Sequence, residues 1–294
     1  MPDRRLQELF PILSLLIAAT VWGVMWYPLR LLNEAGLNGV WTSLVAYTSL
    51  LIPALPFLWR ERLEFRRQFI PLLAIGLATG WCNLAFVLAV LDGTVVRVLI
   101  LFYLSPLWAV LLGHFILGER MTLYSRLVLL VAMFGALMML WSPELGFPWP
   151  ETSSDWLAIS SGFAFALANV FVRMYQQISV TNKVISVWWG GVLIAACSLL
   201  FIDGGGLPDV SWQVILGAIA LGVFGMALAT FAIQYGVTHM PVHRSAVILL
   251  FELIVGAASA LLLTDESVRI IEWTGGAMIL TAALLTAKRQ ADTA

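Results

Sequence analysis

An acidic residue, Glu252, interrupts a long apolar run that extends from Ala246 to Asp265. An unpaired carboxylate inside hydrocarbon is costly, so Glu252 must face a cavity, pair with another group or carry a proton. Two functional roles suit it: binding the ammonium group of an amino acid, or carrying a coupling proton. The structural alternative is a hydrogen bond to a neighbouring helix.

A proline, Pro106, occupies the equivalent place in an apolar run 146 residues earlier. Inside a helix, a proline removes a backbone donor and pushes away the carbonyl four residues back, here that of Phe102, so the helix kinks. A bilayer tolerates such a kink only where protein or a water-filled cavity satisfies the freed carbonyl. A kink in one half and an acid in the other, at matching depth, indicate a working centre.

Aromatic residues in the first apolar run are a second candidate group. Trp22 and Trp26 are four residues apart, so they share one face of a helix and could present two indole rings to a ligand. At an offset of 143 residues they match Phe165 and Asn169. The alternative is packing or lipid contact, because the chain has 13 tryptophans and many mark membrane interfaces.

Other polar groups have two interpretations each. Arg97 and His243 stand at equivalent helix entrances, where a cation could attract a substrate carboxylate or extend to lipid headgroups. Asn83 and Gln234 are expected to connect helices by hydrogen bonds, as polar amides in membrane spans usually do. Asn169 is assigned to the cavity instead, because of its match to Trp26.

Composition places these residues in a membrane. The chain has 294 residues, of which 61% are hydrophobic and 11% charged, and its mean hydropathy is +0.94, whereas soluble domains carry about 25% charged residues. Apolar runs of about 20 residues match a hydrocarbon core of about 30 Å. Ten such segments are predicted, at residues 11–32, 38–59, 70–91, 95–117, 123–142, 156–177, 184–202, 212–237, 243–263 and 270–287.

The distribution of positive charge predicts the orientation. With the N-terminus inside, 13 of the 16 lysines and arginines fall on the inner side, so both termini are expected in the cytoplasm. The proline-containing loop between residues 142 and 155 divides the spans five and five, giving halves 1–145 and 146–294. An odd number of spans in each half implies that the halves, if they share a fold, form an inverted repeat.

Several short motifs make the chain similar to the drug/metabolite transporter superfamily, and specifically to its EamA-type ten-span exporters. They are Val21-Trp22-Gly23, Ser105-Pro106-Leu107 and Leu117-Gly118-Glu119-Arg120, with the small-residue stretch 132–140 and the tail 275–287. The second half departs from the pattern, with Glu252 for Pro106 and Thr264-Asp265-Glu266 for the glycine-glutamate ending. Functional symmetry of the halves is therefore not expected.

The resemblance, which within the superfamily is greatest to bacterial aromatic amino acid exporters, implies a function. It implies alternating-access export of aromatic and other amino acids across the bacterial inner membrane, through a cavity lined by spans 1, 3, 4, 6, 8 and 9. Export of lipophilic drugs or other metabolites is the alternative. The resemblance also implies further substrate-binding candidates on those spans, beside Trp22, Trp26, Phe165, Asn169 and Glu252. They are Trp81, Tyr103, Phe231 and Tyr235.

The sequence lacks the motifs of other classes. It has no His-Glu-x-x-His, no Gly-x-Ser-x-Gly and no phosphate-binding glycine loop, so we expect no enzyme, metal or cofactor. No filter-like sequence indicates a channel, although a channel or membrane sensor stays open as a further alternative. The expected partners are a small-molecule substrate and membrane lipids, not nucleic acid. We expect a monomer rather than a homodimer.

Overall fold

A computed structural model describes residues 4–93, 95–141, 149–200, 208–263 and 269–292, and these residues form helices and short connections without any strand. Residues 142–148 of the proline-containing loop lie outside the described residues, and so does the Thr264-Asp265-Glu266 motif that ends span 9. The helices are α1 (Arg4–Glu34), α2 (Gly39–Arg60), α3 (Arg62–Arg67), α4 (Phe69–Asp92), α5 (Val95–Phe102), α6 (Ser105–Leu117), α7 (Leu123–Leu140), α8 (Ser153–Met174), α9 (Val180–Leu199), α10 (Trp212–Ala220), α11 (Ala227–His239), α12 (Val242–Leu249), α13 (Phe251–Leu263) and α14 (Ile270–Asp292).

Within the described ranges, nine of the apolar helical segments are long enough to cross a membrane. They correspond to the first nine predicted segments, with α5 and α6 together forming span 4, α10 and α11 forming span 8, and α12 and α13 forming span 9. The tenth, Ile270–Thr286, is apolar but shorter. The chain is therefore a multi-pass helical membrane protein, while the number ten and the inverted repeat stay predictions.

Local chemistry explains several helix ends. The Asn38 side chain accepts hydrogen bonds from the backbone N–H groups of Val40 and Trp41 at 3.1 and 3.0 Å, which caps α2. Thr152 and Asp155 form a reciprocal capping box at the start of α8. Gly118 ends α6 with a φ of 68°, a left-handed conformation that glycine adopts at little cost.

Spans 4 and 9 are both broken near the middle. Helix α5 ends at Phe102 and α6 begins at Ser105, whereas α12 ends at Leu249 and α13 begins at Phe251. The break residues Leu104 and Leu250 are 146 positions apart, the same offset that relates Pro106 to Glu252. Between α10 and α11, a π-helical turn at Leu221–Met226 marks span 8.

Glycines allow the closest helix crossings. Helix α4 packs along α8 and α9, and at the α4–α9 crossing a Cβ atom added at Gly76 would lie 2.6 Å from the Ser186 carbonyl oxygen. Helix α7 packs along α14, where a Cβ atom at Gly135 would lie 2.6 Å from the Gly275 carbonyl oxygen. Lipid tails are as apolar as the side chains, so no hydrophobic effect drives membrane helices together. Small residues let the backbones approach closely, and the helices then associate through van der Waals contacts.

Candidate functional site

A cavity of about 170 Å³ lies near the middle of the bundle, where spans 4 and 9 are broken. Both halves of the chain line it: Trp22 of α1, Tyr47 of α2 and Phe86 of α4 come from the first half. The second half contributes Phe165 of α8 and Gln234 of α11. Trp22, Tyr47 and Phe165 lie near the middle of their spans, so the cavity reaches mid-membrane depth.

An aromatic cluster forms one wall, with Phe102 at its centre. The Phe102 ring centroid lies 5.1 Å from that of Phe86, 5.3 Å from that of Tyr103 and 5.8 Å from that of Phe165. The first two pairs are edge-to-face. Such tilted rings leave both faces and edges available, so a ligand ring could join the cluster by the same contacts.

Polar groups form the rest of the lining. Of the described residues that line the cavity, Glu252 alone carries a formal charge, and its carboxyl lies next to the Tyr103 hydroxyl. Gln234 is buried and its side-chain Oε1 atom has no hydrogen-bond partner among the described residues. Asn83 donates from Nδ2 to the Thr79 carbonyl at 3.0 Å. The lining thus offers acceptors to a polar ligand as well as aromatic surface.

The two breaks put helix N-termini at the cavity. Ser105 and Pro106 are the first residues of α6, and Glu252 lies in the first turn of α13. The first amide groups of a helix lack internal partners and carry partial positive charge. Glu252 is therefore placed where its negative charge is favourable, and the start of α6 can attract an anionic group.

Two glycines press directly against the broken segments. A Cβ atom at Gly162 of α8 would lie 2.5 Å from the Phe102 carbonyl oxygen, and one at Gly23 of α1 would lie 2.8 Å from the Glu252 carbonyl oxygen. Phe102 is the residue whose helical acceptor role Pro106 abolishes. Each break is thus held by a close crossing with the first helix of the other half.

Six of the candidates named from the sequence meet at this cavity: Trp22, Tyr103, Pro106, Phe165, Asn169 and Glu252. The arrangement also adds Asn83 and Gln234, which the sequence assigns to helix packing. No comparison tests the role of these residues in substrate binding, so that role stays a prediction.

The other four candidates lie elsewhere. Trp26 donates from Nε1 to the Ser259 hydroxyl at 2.9 Å and so connects α1 to α13. Trp81 is 42% exposed on the outside of α4. Phe231 makes an edge contact with Trp188 at 5.8 Å, and Tyr235 stacks on His239 at 4.3 Å. None of the four lines the cavity.

Three aromatic lining residues were missed: Tyr47, Phe86 and Phe102. Their helices are apolar on every side, so hydrophobic periodicity does not distinguish an inward face from a lipid face. Only the kink predicted at Pro106 pointed to one of them. The proline frees the carbonyl of Phe102, and Phe102 lies beside the cavity.

Ion pairs lie at opposite ends of the helix bundle. At one end, Arg97 Nε lies 2.9 Å from Asp155 Oδ1 and connects the starts of α5 and α8. At the other, Glu119 lies 3.7 Å from Arg173 Nε and 3.4 Å from His243 Nδ1, and accepts a hydrogen bond from the Val242 N–H at 3.1 Å. Arg97 and His243, interpreted from sequence as carboxylate attractors or lipid anchors, instead face protein carboxylates.

Comparison with known families decides the class. A model described as the EamA-like transporter family matches residues 9–141 and again residues 152–288, and thus nearly the whole chain. The chain belongs to the EamA-like transporter family.

Individual EamA-like relatives are distant. The chain is 25% identical to an uncharacterized transporter of Pseudomonas aeruginosa over 70% of this chain and 71% of that protein. It is 23% identical to a protein of Escherichia coli named "Probable amino-acid metabolite efflux pump", over 90% of this chain and 91% of that protein. A solved crystal structure superposes on this chain with a TM-score of 0.74 at 17% sequence identity. The match covers 96% of this chain and 98% of the other, and it supports the fold but not the function.

Proposed function

We propose that this protein is a secondary transporter that exports small organic solutes, chiefly aromatic and other amino acids, from cytoplasm to periplasm by alternating access. The observation that carries the proposal is a mid-membrane cavity that combines a carboxylate, Glu252, with aromatic rings. The efflux pump name of the Escherichia coli relative supports the direction and the substrate class. The expected location is the bacterial inner membrane, with both termini cytoplasmic.

The lining suits a zwitterion that carries a ring. Glu252 would bind the ammonium group, assisted by the free Oε1 acceptor of Gln234. The Ser105 hydroxyl, which lies at the positive end of the α6 dipole, would bind the carboxylate. Phe102 and Phe165 would contact the ring. At about 170 Å³ the cavity is smaller than the roughly 300–1,000 Å³ of drug-sized sites, which favours a single small solute.

Matched contacts support two inverted halves, 1–145 and 146–294. Helix α4 packs on α8, and span 8 correspondingly packs on α1. A Cβ atom added at Gly76 would lie 2.6 Å from the Ser186 carbonyl oxygen of span 7. One added at Gly222, 146 residues later, would lie 2.5 Å from the Ala46 carbonyl oxygen of span 2. Contacts exchanged in this way between equivalent spans are expected of a repeat related by a pseudo-two-fold axis in the membrane plane.

The ion pairs supply two gates. In alternating access the two halves rock around a fixed site, so that one end of the cavity opens while the other closes. The Arg97–Asp155 pair would hold one end closed, and the Glu119 cluster with Arg173 and His243 the other. Each open state would break one of these groups and keep the other intact, whereas both groups are formed in this structure.

A second candidate substrate class is lipophilic drugs or other metabolites, because most side chains of the cavity lining are apolar or aromatic. Such solutes would need the rings of Phe102 and Phe165 but not the carboxylate of Glu252. The two classes therefore respond differently when Glu252 loses its charge.

Transport from liposomes tests the proposal. Vesicles loaded with labelled tryptophan should release it saturably when they contain the protein, and the other amino acids and a few lipophilic drugs should compete in the order of their affinity. Glu34→Gln is a matched control for Glu252→Gln, because Glu34 pairs with Arg30 on the exposed end of α1. Linear, non-saturating flux of small ions would contradict a carrier and indicate a channel.

A further inference from the structure

A second recess lies on the outside of the bundle, between α2, α3, α4 and α9, away from the central cavity. Its volume is about 580 Å³. Apolar side chains form its walls, among them Leu73 and Leu77 of α4 and Leu193 of α9. Gly76 and Gly190 form its floor, because the two helices cross there without side chains between them. The recess is therefore a groove in a surface that faces hydrocarbon.

Two arginines stand at the end of this groove. Arg62 and Arg66 of α3 both line it and are exposed, and the Arg62 guanidinium lies 4.5 Å above the Trp59 ring. Among the described residues, no carboxylate forms an ion pair with either guanidinium. They follow directly on Arg60, which ends α2, so they lie at the depth where a span leaves the hydrocarbon.

The acidic residues of the same segment are turned away from the groove. Glu61 Oε2 accepts a hydrogen bond from the Ser179 hydroxyl at 2.8 Å. Glu64 accepts from the Ser179 N–H at 3.2 Å and from Asn182 Nδ2 at 2.9 Å. These bonds hold α3 against the start of α9. They leave the positive charge of Arg62 and Arg66 uncompensated at the groove.

We propose that this groove binds one anionic phospholipid, with its phosphate on Arg62 and Arg66 and an acyl chain lying along Leu73, Leu77 and Leu193. Guanidinium groups bind phosphate oxygens through paired hydrogen bonds, and basic pockets between membrane helices bind anionic headgroups. A lipid fits better than a second copy of this chain. A two-fold interface here would bring the same arginines of both copies together.

Native mass spectrometry of the full-length protein in detergent tests this site. Phosphatidylglycerol and phosphatidylcholine with identical acyl chains serve as the probes. We expect the wild-type protein to retain one phosphatidylglycerol in preference to phosphatidylcholine. The double variant Arg62→Gln/Arg66→Gln should bind phosphatidylglycerol about 30-fold more weakly, since each basic residue near the surface contributes roughly a fivefold factor.

The matched control is Arg60→Gln/Arg67→Gln, which removes the same charge from the same segment but from residues that do not line the groove. It should retain the lipid with near wild-type affinity. Equal losses in both double variants would overturn the proposal, because they would indicate diffuse attraction to the whole basic face. The proposal would also be overturned if the wild-type protein showed no preference for phosphatidylglycerol. Dimers that form without bound lipid would overturn it as well.

The apolar half of the site has its own test. Leu77→Gln leaves both arginines in place but puts an amide among the acyl-chain contacts. It should therefore weaken the binding of long-chain phosphatidylglycerol more than the binding of a short-chain form. Water-soluble glycerol phosphate should not displace the bound lipid. Displacement at concentrations comparable to those of the lipid would mean a free phosphate site instead. Thermal unfolding in neutral lipid checks that each variant is folded, and none of these residues lines the central cavity.

Discussion

The break in span 4, at Leu104, and the break in span 9, at Leu250, stand at equivalent places, but different residues follow them. In span 4, Pro106 removes a backbone donor and frees the Phe102 carbonyl, so the local sequence is enough to interrupt the helix. Span 9 has no proline near its break and carries Glu252 at the matching position. Local chemistry therefore explains one break and leaves the other unexplained.

Both breaks share a tertiary contact. Gly162 of α8 lies against the Phe102 carbonyl, and Gly23 of α1 lies against the Glu252 carbonyl. A helix that crosses without a side chain at the broken turn can hold that turn whether or not a proline is present. The two halves therefore share the contact at the break but differ in the residue that follows it, which is a rigid proline ring in the first half and a carboxylate in the second.

Removal of the charge should have the largest effect. Glu252→Gln is expected to weaken tryptophan binding by about 30-fold or more, because loss of one member of a buried charge pair costs roughly 2–5 kcal/mol. Affinity for indole-3-propionate, which lacks the ammonium group, should change little. Binding is measured by scintillation proximity with both ligands. Equal losses for the two ligands would show that Glu252 does not bind the ammonium group.

Filling the crossings should destabilise both breaks. Gly162→Ala and Gly23→Ala each place a methyl group within 2.5 and 2.8 Å of a carbonyl oxygen, so the backbone must shift. Overpacking of this kind costs about 1–3 kcal/mol. Thermal unfolding in detergent should detect it for both variants. Gly118→Ala is not a suitable control because of its positive φ, whereas Gly256→Ala, with a nearest neighbour at 3.7 Å, should be tolerated.

The two tryptophans of α1 should separate binding from packing. Trp22 lines the cavity, so Trp22→Ala should weaken ligand binding by roughly tenfold, or about 1.5 kcal/mol, at normal folded yield. Trp26 donates to Ser259, so Trp26→Ala should lower the unfolding temperature and leave ligand affinity near normal. Thermal unfolding and binding isotherms measure the two effects, and size-exclusion yield checks that both variants are folded. If Trp26→Ala weakened binding and Trp22→Ala only lowered stability, Trp26 rather than Trp22 would contact the ligand.

The smallest effect is expected for Pro106→Ala. Since span 9 breaks without a proline, the contact with Gly162 should keep span 4 broken as well. Ligand affinity should then change by less than about fivefold, or roughly 1 kcal/mol. A much larger loss would mean that the proline itself holds the break in span 4. The comparison between the halves would then fail, because the two breaks would have different causes.

Sequence reasoning reached the class and the family but only part of the interior. Long apolar runs and scarce charge predicted a helical membrane protein, and motifs such as Ser105-Pro106-Leu107 indicated the family that the comparison confirms. The short interfacial helix α3 was not predicted, because its six residues include four charges and no apolar periodicity. Its place depends on hydrogen bonds from the distant Ser179 and Asn182.

The cavity lining was harder to predict for a physical reason. In a water-soluble helix the polar face points outward, but a membrane helix such as α4 is apolar toward both lipid and protein, so Trp81 and Phe86 look alike in sequence. The structure exposes Trp81 and places Phe86 at the cavity. Polar residues gave a better guide: Glu252 and Asn169 both line the cavity, and they are residues that lipid would not tolerate.

Thiol labelling of Cys82 tests whether one cavity is reached alternately from the two faces of the membrane. Cys82 lines the cavity, and with Cys197→Ser it is the single thiol of the chain. In sealed vesicles, Arg97→Gln should make Cys82 reactive to a small impermeant thiol reagent from the face where Arg97 lies. Glu119→Gln should do so from the opposite face, and saturating tryptophan should slow both reactions. Reactivity from the same face in both variants, or none that tryptophan slows, would contradict alternating access to this cavity.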